Sequence, residues 1–337
     1  MQNPHTGKKI LVTGASGLLG AHLVGHLLDQ GYTHIRALRR PAEKTVSPYD
    51  GFAGKITWVE ADILDLPALE EAMEGAEWVF HCAGLVSFDP RDAGLLREIN
   101  IAGTANIVNL CLFMGVGKLL HVSSVAALGR TKPGQTISES SKWERSHFNT
   151  RYGTSKFLGE QEVWRGIEEG LNAVIINPSI VLGIGRWTDG PGRFFPLLHG
   201  GFPFYPAGAT ALVDARDVAR MMLMMMESPV AGQRFIASAG HLSYKDFFKQ
   251  IATALGRPAP KVKLSPILQH LAMRYGQLKG IWSSERRFIT AETVRQSSLE
   301  FFYDNSKSIE QLGFTYTTIE KTIRDVAAGY LAHLDTK

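Results

Sequence analysis

Short apolar runs and amphipathic stretches alternate through the first half of the chain. "KKILVT" (8–13) places an apolar run behind two lysines, as a buried strand does, and "LLGAHLVGHLLDQG" (18–31) repeats apolar positions at helical spacing until Gly31 closes it. "HIRAL" (34–38), "ITWVEA" (56–61), "EWVFHCAG" (77–84), "KLLHVSS" (118–124) and "NAVIINPS" (172–179) predict further strands. Residues 67–74, 92–114 and 150–169 carry the helical period between them. Repeated strand–helix–strand order implies parallel strands with right-handed crossovers, hence an α/β protein with a doubly wound sheet.

The rhythm changes after Pro178. Residues 183–210 are rich in Gly, Pro and aromatics and hold no long periodic element. "LVDARDVARMMLMMMES" (212–228) resumes a strand-to-helix pattern, and helices are predicted near 243–256, 265–279, 304–312 and 318–334. The run "MMLMMM" (221–226) is too contiguous for a one-sided stripe and fits a buried helix better than an adaptable Met-lined face. The expected organisation is a Rossmann-type dinucleotide domain over 1–180, rejoined by about 211–240. Residues 181–210 and 241–337 would form a smaller, discontinuous substrate lobe.

Composition narrows the class. The 337 residues are 45% hydrophobic and 20% charged with no low-complexity tract, which is a globular balance, and no apolar run approaches the ~18 residues of a membrane span. "MQNPHTGKK" lacks the apolar core of a signal peptide. Two cysteines, Cys82 and Cys111, make no disulfide framework, so the cytoplasm is the expected compartment. The net charge of +4 comes without a Lys/Arg run interleaved with aromatics, which argues against a nucleic-acid partner. His81, His121 and His199 show no metal-ligand spacing, and no metal is expected.

"TGASGLLG" joins the first strand to the first helix. Gly14, Gly17 and Gly20, with Ser16 and Leu18 between them, permit a tight turn whose backbone N–H groups approach a pyrophosphate above a helix N-terminus. In "EADILD" (60–65), Asp62 could accept from an adenine amino group while Ile63 packs on the ring, although Asp62 suits a turn or helix cap equally. Ala83 and Gly84, at the end of the fourth strand, would let backbone approach a ligand. The second strand ends in Arg39 and Arg40, where an NAD-preferring domain usually carries an acid. Guanidinium groups there predict NADP(H), with NAD(H) as the alternative.

"LLHVSSVAALG" (119–129) ends the fifth strand in two hydroxyls, and "RYGTSKF" (151–157) places Tyr152 and Lys156 on one helix face. A serine hydroxyl can polarise a carbonyl while tyrosine gives or takes the alcohol proton, its phenolate favoured by a neighbouring ammonium and an oxidised nicotinamide. With these motifs in order, the chain resembles the extended branch of the short-chain dehydrogenase/reductase superfamily from Lys9 to about His333. The resemblance implies Tyr152 and Lys156 as the catalytic pair and as coenzyme contacts, with the lysine bonding the nicotinamide ribose. It implies Ser124 as the hydroxyl, since Gly129 stands five positions on, with Ser123 as fallback. Asn100 in "EINIAGTANIV" would be the supporting asparagine, and Pro178 and Ser179 in "NPSIVLG" would border the nicotinamide.

Three activities are compatible with these motifs. "NPSIVLG", "LVDARDVA" and "FFYDNSKSIEQLGF" look most like dihydroflavonol-reductase and hydroxysteroid-dehydrogenase relatives, which favours an NADP-dependent oxidoreductase acting on a small apolar substrate. A nucleotide-sugar epimerase is the alternative. A dehydratase is disfavoured because Val125 and Ala126 follow Ser124 where the acidic pair would stand. A non-catalytic NADP sensor is least favoured, since the tyrosine is kept. "RFFPLLHGGFPFY" (193–205) suits either an apolar pocket or plain core, and Arg186 and Arg193 could hold a diphosphate. A small-molecule substrate is the expected partner, and a homodimer the candidate assembly.

Overall fold

The computed structural model describes residues 5–41, 52, 54–264 and 290–336. The large sheet takes β1 (Ile10–Thr13), β2 (Ile35–Arg39), β3 (Thr57–Glu60), β4 (Trp78–His81), β5 (Lys118–Val122) and β6 (Ala173–Pro178). A small sheet takes β7 (Ile180–Leu182) and β8 (Ala209–Asp214); β9 (Gln233–Ala237) returns to the large sheet and β10 (Gly240–Ser243) to the small one. All neighbours in the large sheet pair in parallel, in the order β9–β6–β5–β4–β1–β2–β3. Every residue of β1, β4, β5 and β6 is buried, which is why these strands read as largely apolar runs rather than alternating ones. Strand order reverses between β1 and β4, where an open parallel sheet forms its ligand crevice.

Helices cover both faces. Ile10, Val12, Phe80 and Leu120 pack with α1 (Leu18–Asp29) and the methionine-rich helix Ala215–Glu227. Met221, Met222, Met225 and Met226 are buried there, as the contiguous run predicts, whereas Met224 faces outward and is 37% exposed. On the other face Leu11, Val79, Leu119 and Ile175 meet Ile107, Val108 and Val163. Two sequence expectations change. The stretch 92–114 is not one helix: the α-turns at Ala93–Arg97 pass into a π-turn at Glu98–Ala102 before the helix Gly103–Phe113. β8, expected to rejoin the sheet, instead pairs with β7 and β10, and the unpredicted β9 supplies the seventh strand.

A separate core of Phe195, Leu198, Phe247, Ile251, Ile323 and Tyr330 builds the C-terminal lobe. The predicted helices near 243–256, 304–312 and 318–334 are present as Tyr244–Ala254, Ser306–Leu312 and Ile319–Asp335, whereas 265–279 lies outside the described residues. Asp214 at the end of β8 binds Arg216 and the Thr322 hydroxyl, tying the last helix to the small sheet.

Candidate active site

Glycines open the β1–α1 crossing. Gly14 has φ +65, and a Cβ there would lie 2.6 Å from the Ala83 nitrogen. A Cβ on Gly20 would run into the Gly14 carbonyl, and that carbonyl accepts from the Gly17 N–H at 3.0 Å. Gly17 caps α1 with no side-chain hydrogen bond, so the first helical N–H groups face outward past the half-buried Ser16 and Leu18. Thr13 Oγ1 accepts from the Ala83 N–H at 3.2 Å, clamping β1 to the β4 end. Gly84 continues this floor: a Cβ there would stand 3.3 Å from Asn100 Oδ1 and 3.7 Å from Lys156 Nζ.

Lys156, Asn100 and Tyr152 stand at the same sheet edge. The helix Arg151–Glu168 begins at Thr150, whose Oγ1 accepts from the Gly153 N–H at 2.8 Å. The small residues of "YGTSKFLG" have a packing reason. A Cβ on Gly153 would lie 2.8 Å from the Ala126 carbonyl, and one on Gly159 would strike the Asn100 carbonyl. The helix therefore lies against both the Ser124 turn and the π-turn. Asn100 is 1% exposed, accepts from the Leu85 N–H at 2.7 Å, and donates to the Leu85 carbonyl and Ser155 Oγ at 2.9 Å each. π-turns often mark functional sites because the extra residue re-aims a side chain.

The two serines of "VSS" separate as alternate strand residues must. Ser123 donates to Glu160 Oε2 at 2.6 Å in the interior. Ser124 caps the short turn Val125–Leu128, on which the helix of the half-buried Tyr152 packs through Gly153. Burial raises the phenol above its ordinary 10, and the Ser124 hydroxyl opposes that rise. Lys156 Nζ donates to the Val122 carbonyl at 2.7 Å, and burial lowers its ammonium to about 8. The expected lowering of the phenol by this lysine is thus absent from the protein alone, where desolvation dominates. The edge of the Phe88 ring meets Tyr152 with centroids 5.8 Å apart.

A buried polar layer lies behind these groups. Glu160, one turn beyond Lys156 and fully buried, accepts from Ser123, Asn177 Nδ2 (2.8 Å), Trp164 Nε1 (3.2 Å) and Arg234 Nη1 (2.9 Å). Asn177 Nδ2 also donates to the Ser124 carbonyl at 3.0 Å. Sequence reasoning missed Glu160, although an acid at i+8 from Tyr152 and i+4 from Lys156 is a legible signal. His81 bonds Thr13 Oγ1 and Thr104 Oγ1, and its ring lies 5.2 Å from that of His121. Burial, then the charge of Lys156, holds His81 neutral down to about 3 and His121 also far below its ordinary range.

The remaining predicted residues disperse. Arg39 ends β2, its Nη2 2.7 Å from Glu60 Oε1 and its guanidinium carbon 5.9 Å from the centroid of the Trp58 ring, while its buried Nε has no hydrogen-bond partner among the described residues. Arg40 follows, exposed. Asp62 Oδ1 accepts from the Leu64 N–H at 2.9 Å, the turn role left open above. Ile63 is 6% exposed and fills the space over Gly103, so its aliphatic side chain is packed against the chain itself. Pro178 ends β6, and the Ser179 hydroxyl is buried without a partner. Phe195 and Leu198 lie in the lobe's own core, with Phe194 packed edge-on to Phe247, so core rather than pocket describes that part of 193–205. Arg193 donates to the Thr188 carbonyl of its own loop. Among the described residues no cluster of His, Cys, Asp or Glu could hold a metal, and no helix is long and apolar enough to cross a membrane.

The NAD dependent epimerase/dehydratase family matches residues 10–237. The chain belongs to that family. It is 30% identical over 334 residues to a putative dihydroflavonol 4-reductase from Synechocystis sp., covering 96% of this chain and 94% of that one. It is 29% identical over 334 residues to sterol demethylase protein B from Methylococcus capsulatus, covering 95% and 97%. A crystal structure of gox2253 superposes with a TM-score of 0.80 at 26% identity, covering 96% of this chain and 98% of that one. The protein is an NAD(P)-dependent enzyme of the extended short-chain dehydrogenase/reductase type. The residues present fit a dinucleotide. Gly14, Gly20 and Gly84 leave a floor that any Cβ would crowd, below a helix N-terminus with no side-chain cap.

Proposed function

We propose that this chain is an NADP-dependent oxidoreductase that interconverts a carbonyl and an alcohol on a small, apolar substrate. The observation that carries the reading is the gathering of Ser124, Tyr152 and Lys156 at the end of β5, where the Tyr152 helix packs through Gly153 on the Ser124 turn and Lys156 Nζ donates to the Val122 carbonyl. Gly14, Ser16, Gly17 and Leu18 would hold the pyrophosphate, Ala83 and Gly84 the floor beneath it, and Pro178 and Ser179 the nicotinamide edge. The nicotinamide coenzyme, when bound, supplies or accepts the hydride. Tyr152 then moves the proton at the substrate oxygen, and Ser124 donates a hydrogen bond to that oxygen. Lys156 supplies positive charge beside them, and Asn100 fixes the Gly84–Leu85 backbone next to that charge.

Arg39 supports NADP(H). Its ion pair with Glu60 is partly exposed, at 27% and 51% for the two side chains, and such pairs contribute only about 0–1 kcal/mol. The guanidinium can exchange that partner for a 2′-phosphate at little cost, with the unpartnered Nε as an additional donor. Phe88 against Tyr152 and the exposed Val86 give the site an apolar rim, which favours a bulky hydrophobic carbonyl. Both full-length relatives carry names that speak of hydrophobic ring compounds.

The test is NADPH oxidation across aromatic aldehydes, ketosteroids, flavonoid-like ketones and nucleotide sugars. Turnover of an apolar carbonyl is the expected result. Micromolar binding of a nucleotide diphosphate sugar by calorimetry, without reduction of any apolar carbonyl, replaces this reading with the epimerase.

A further inference from the structure

We propose that Glu160 is a positioning residue of this active site, fixing the Ser124 turn through Asn177 and giving Lys156 its counter-charge. The inference rests on the oxidoreductase reading above. Glu160 is fully buried and takes four donors from four directions: Ser123 of the β5 end, Asn177 of β6, Trp164 of its own helix and Arg234 of β9. Only Arg234 among these is charged, and its guanidinium is further anchored to the Glu139 and Ser141 carbonyls. A carboxylate so enclosed cannot move without leaving buried donors unsatisfied.

Two consequences reach the reacting groups. Asn177 Nδ2 bridges Glu160 to the Ser124 carbonyl, so the carboxylate sets the orientation of the amide that holds the Ser124 turn. Glu160 also stands one turn from Lys156 on the same buried face of the helix Arg151–Glu168, where its charge favours the ammonium against burial. The other groups facing Lys156 offer little competition. His81 and His121 stay neutral, the Cys82 thiol is pushed up to about 12 by burial, and the Tyr152 phenol is raised. An acid at this one point therefore serves both the hydroxyl and the cation. The sheet's edge strand β9, contributed by the second half of the chain, anchors that acid.

The test uses a Glu160→Gln, Arg234→Gln double variant, so that no buried guanidinium is left unpaired, with NADPH fluorescence titrations from pH 6 to 10. NADPH affinity falls at high pH as Lys156 loses its proton. Without the neighbouring carboxylate that basic limb is expected to move down by about one pH unit. Merely loosening the fold would weaken binding evenly across pH. Glu160→Asp, which keeps the charge one methylene short, should hold the wild-type limb yet lose about tenfold in kcat with the coenzyme KM unchanged. A limb in the double variant that overlays wild type overturns the counter-charge. Wild-type kcat in Glu160→Asp overturns the positioning, and does so even if the double variant fails to fold. In either case wild-type NADPH binding and an inactive Tyr152→Phe would leave the oxidoreductase reading standing. Loss of those two results instead would remove both.

Discussion

The β1–α1 turn and the face of Tyr152, Lys156 and Asn100 stand at the same sheet edge and are built by opposite means. The first is a surface from which side chains have been removed: Gly14, Gly17, Gly20 and Gly84 expose backbone, and α1 starts with no cap. The second is crowded with buried polar side chains held by several hydrogen bonds, from Asn100 on Leu85 and Ser155 to Glu160 on Ser123, Asn177 and Arg234. A coenzyme site can be generic because backbone N–H groups and a helix dipole suit any pyrophosphate. Acid–base chemistry needs particular atoms held in place, and in this fold that takes a second layer of hydrogen bonds.

If that division holds, substitutions on the two sides should fail differently. Tyr152→Phe should lower turnover by about 10²–10⁴-fold while NADPH binding stays near wild type, because the proton donor is lost and the dinucleotide site is kept. Activity within about tenfold of wild type sinks the assignment. Arg39→Asp should act the other way, on coenzyme choice alone. A hydrogen bond to a charged group contributes roughly 1.5–3 kcal/mol, so NADPH preference should fall by about 10- to 150-fold. Equal binding of NADH and NADPH by the wild-type protein removes that prediction. Gly14→Ala should weaken both coenzymes alike and destabilise the fold by about 1–3 kcal/mol, since it places a Cβ against Ala83 at positive φ. Denaturant titration with and without NADPH separates the two effects.

The smallest effect concerns pH. Lys156 titrates at about 8 in the folded chain against 10.5 ordinarily. Below pH 8 both states hold the proton and burying the ammonium opposes folding in full. Between 8 and 10.5 the unfolded chain binds more proton, so stability rises with pH across that window. Lys156→Met without coenzyme should accordingly exceed wild type by about 1–2 kcal/mol near pH 7, after loss of the Val122 bond is counted, and the advantage should shrink toward pH 10.5. A constant difference across that range is the contrary outcome in melts at several pH values.

The glycine side was legible in the sequence because its logic is local: a strand, three glycines at fixed spacing and a helix lie within residues 10–29. Tyr152 and Lys156 were legible for the same reason, as neighbours on one helix. What separates Ser123 from Ser124 is the pleat, which turns Ser123 inward to Glu160 and leaves Ser124 to cap the next turn. Asn177, Glu160 and Arg234 come from three elements, and no local pattern brings them together. β9 was missed because "FIA" is a short apolar run like many others until it pairs with β6. The aromatic segment 193–205 stayed open between core and pocket because the two share a composition, and only packing against Phe247 and its neighbours separates them.

The π-turn at Glu98–Ala102 makes the site sensitive to chain length in a way that residue identity does not reveal. Such a turn holds one residue more than an ordinary helical turn. Asn100 reaches Leu85 and Ser155 because of that surplus. Deleting a single neighbour such as Ile99 would let the helix close into a regular spiral and carry the asparagine about 100° around its axis. The amide would still be present in the sequence and would align with its counterparts, yet it would face a different part of the molecule.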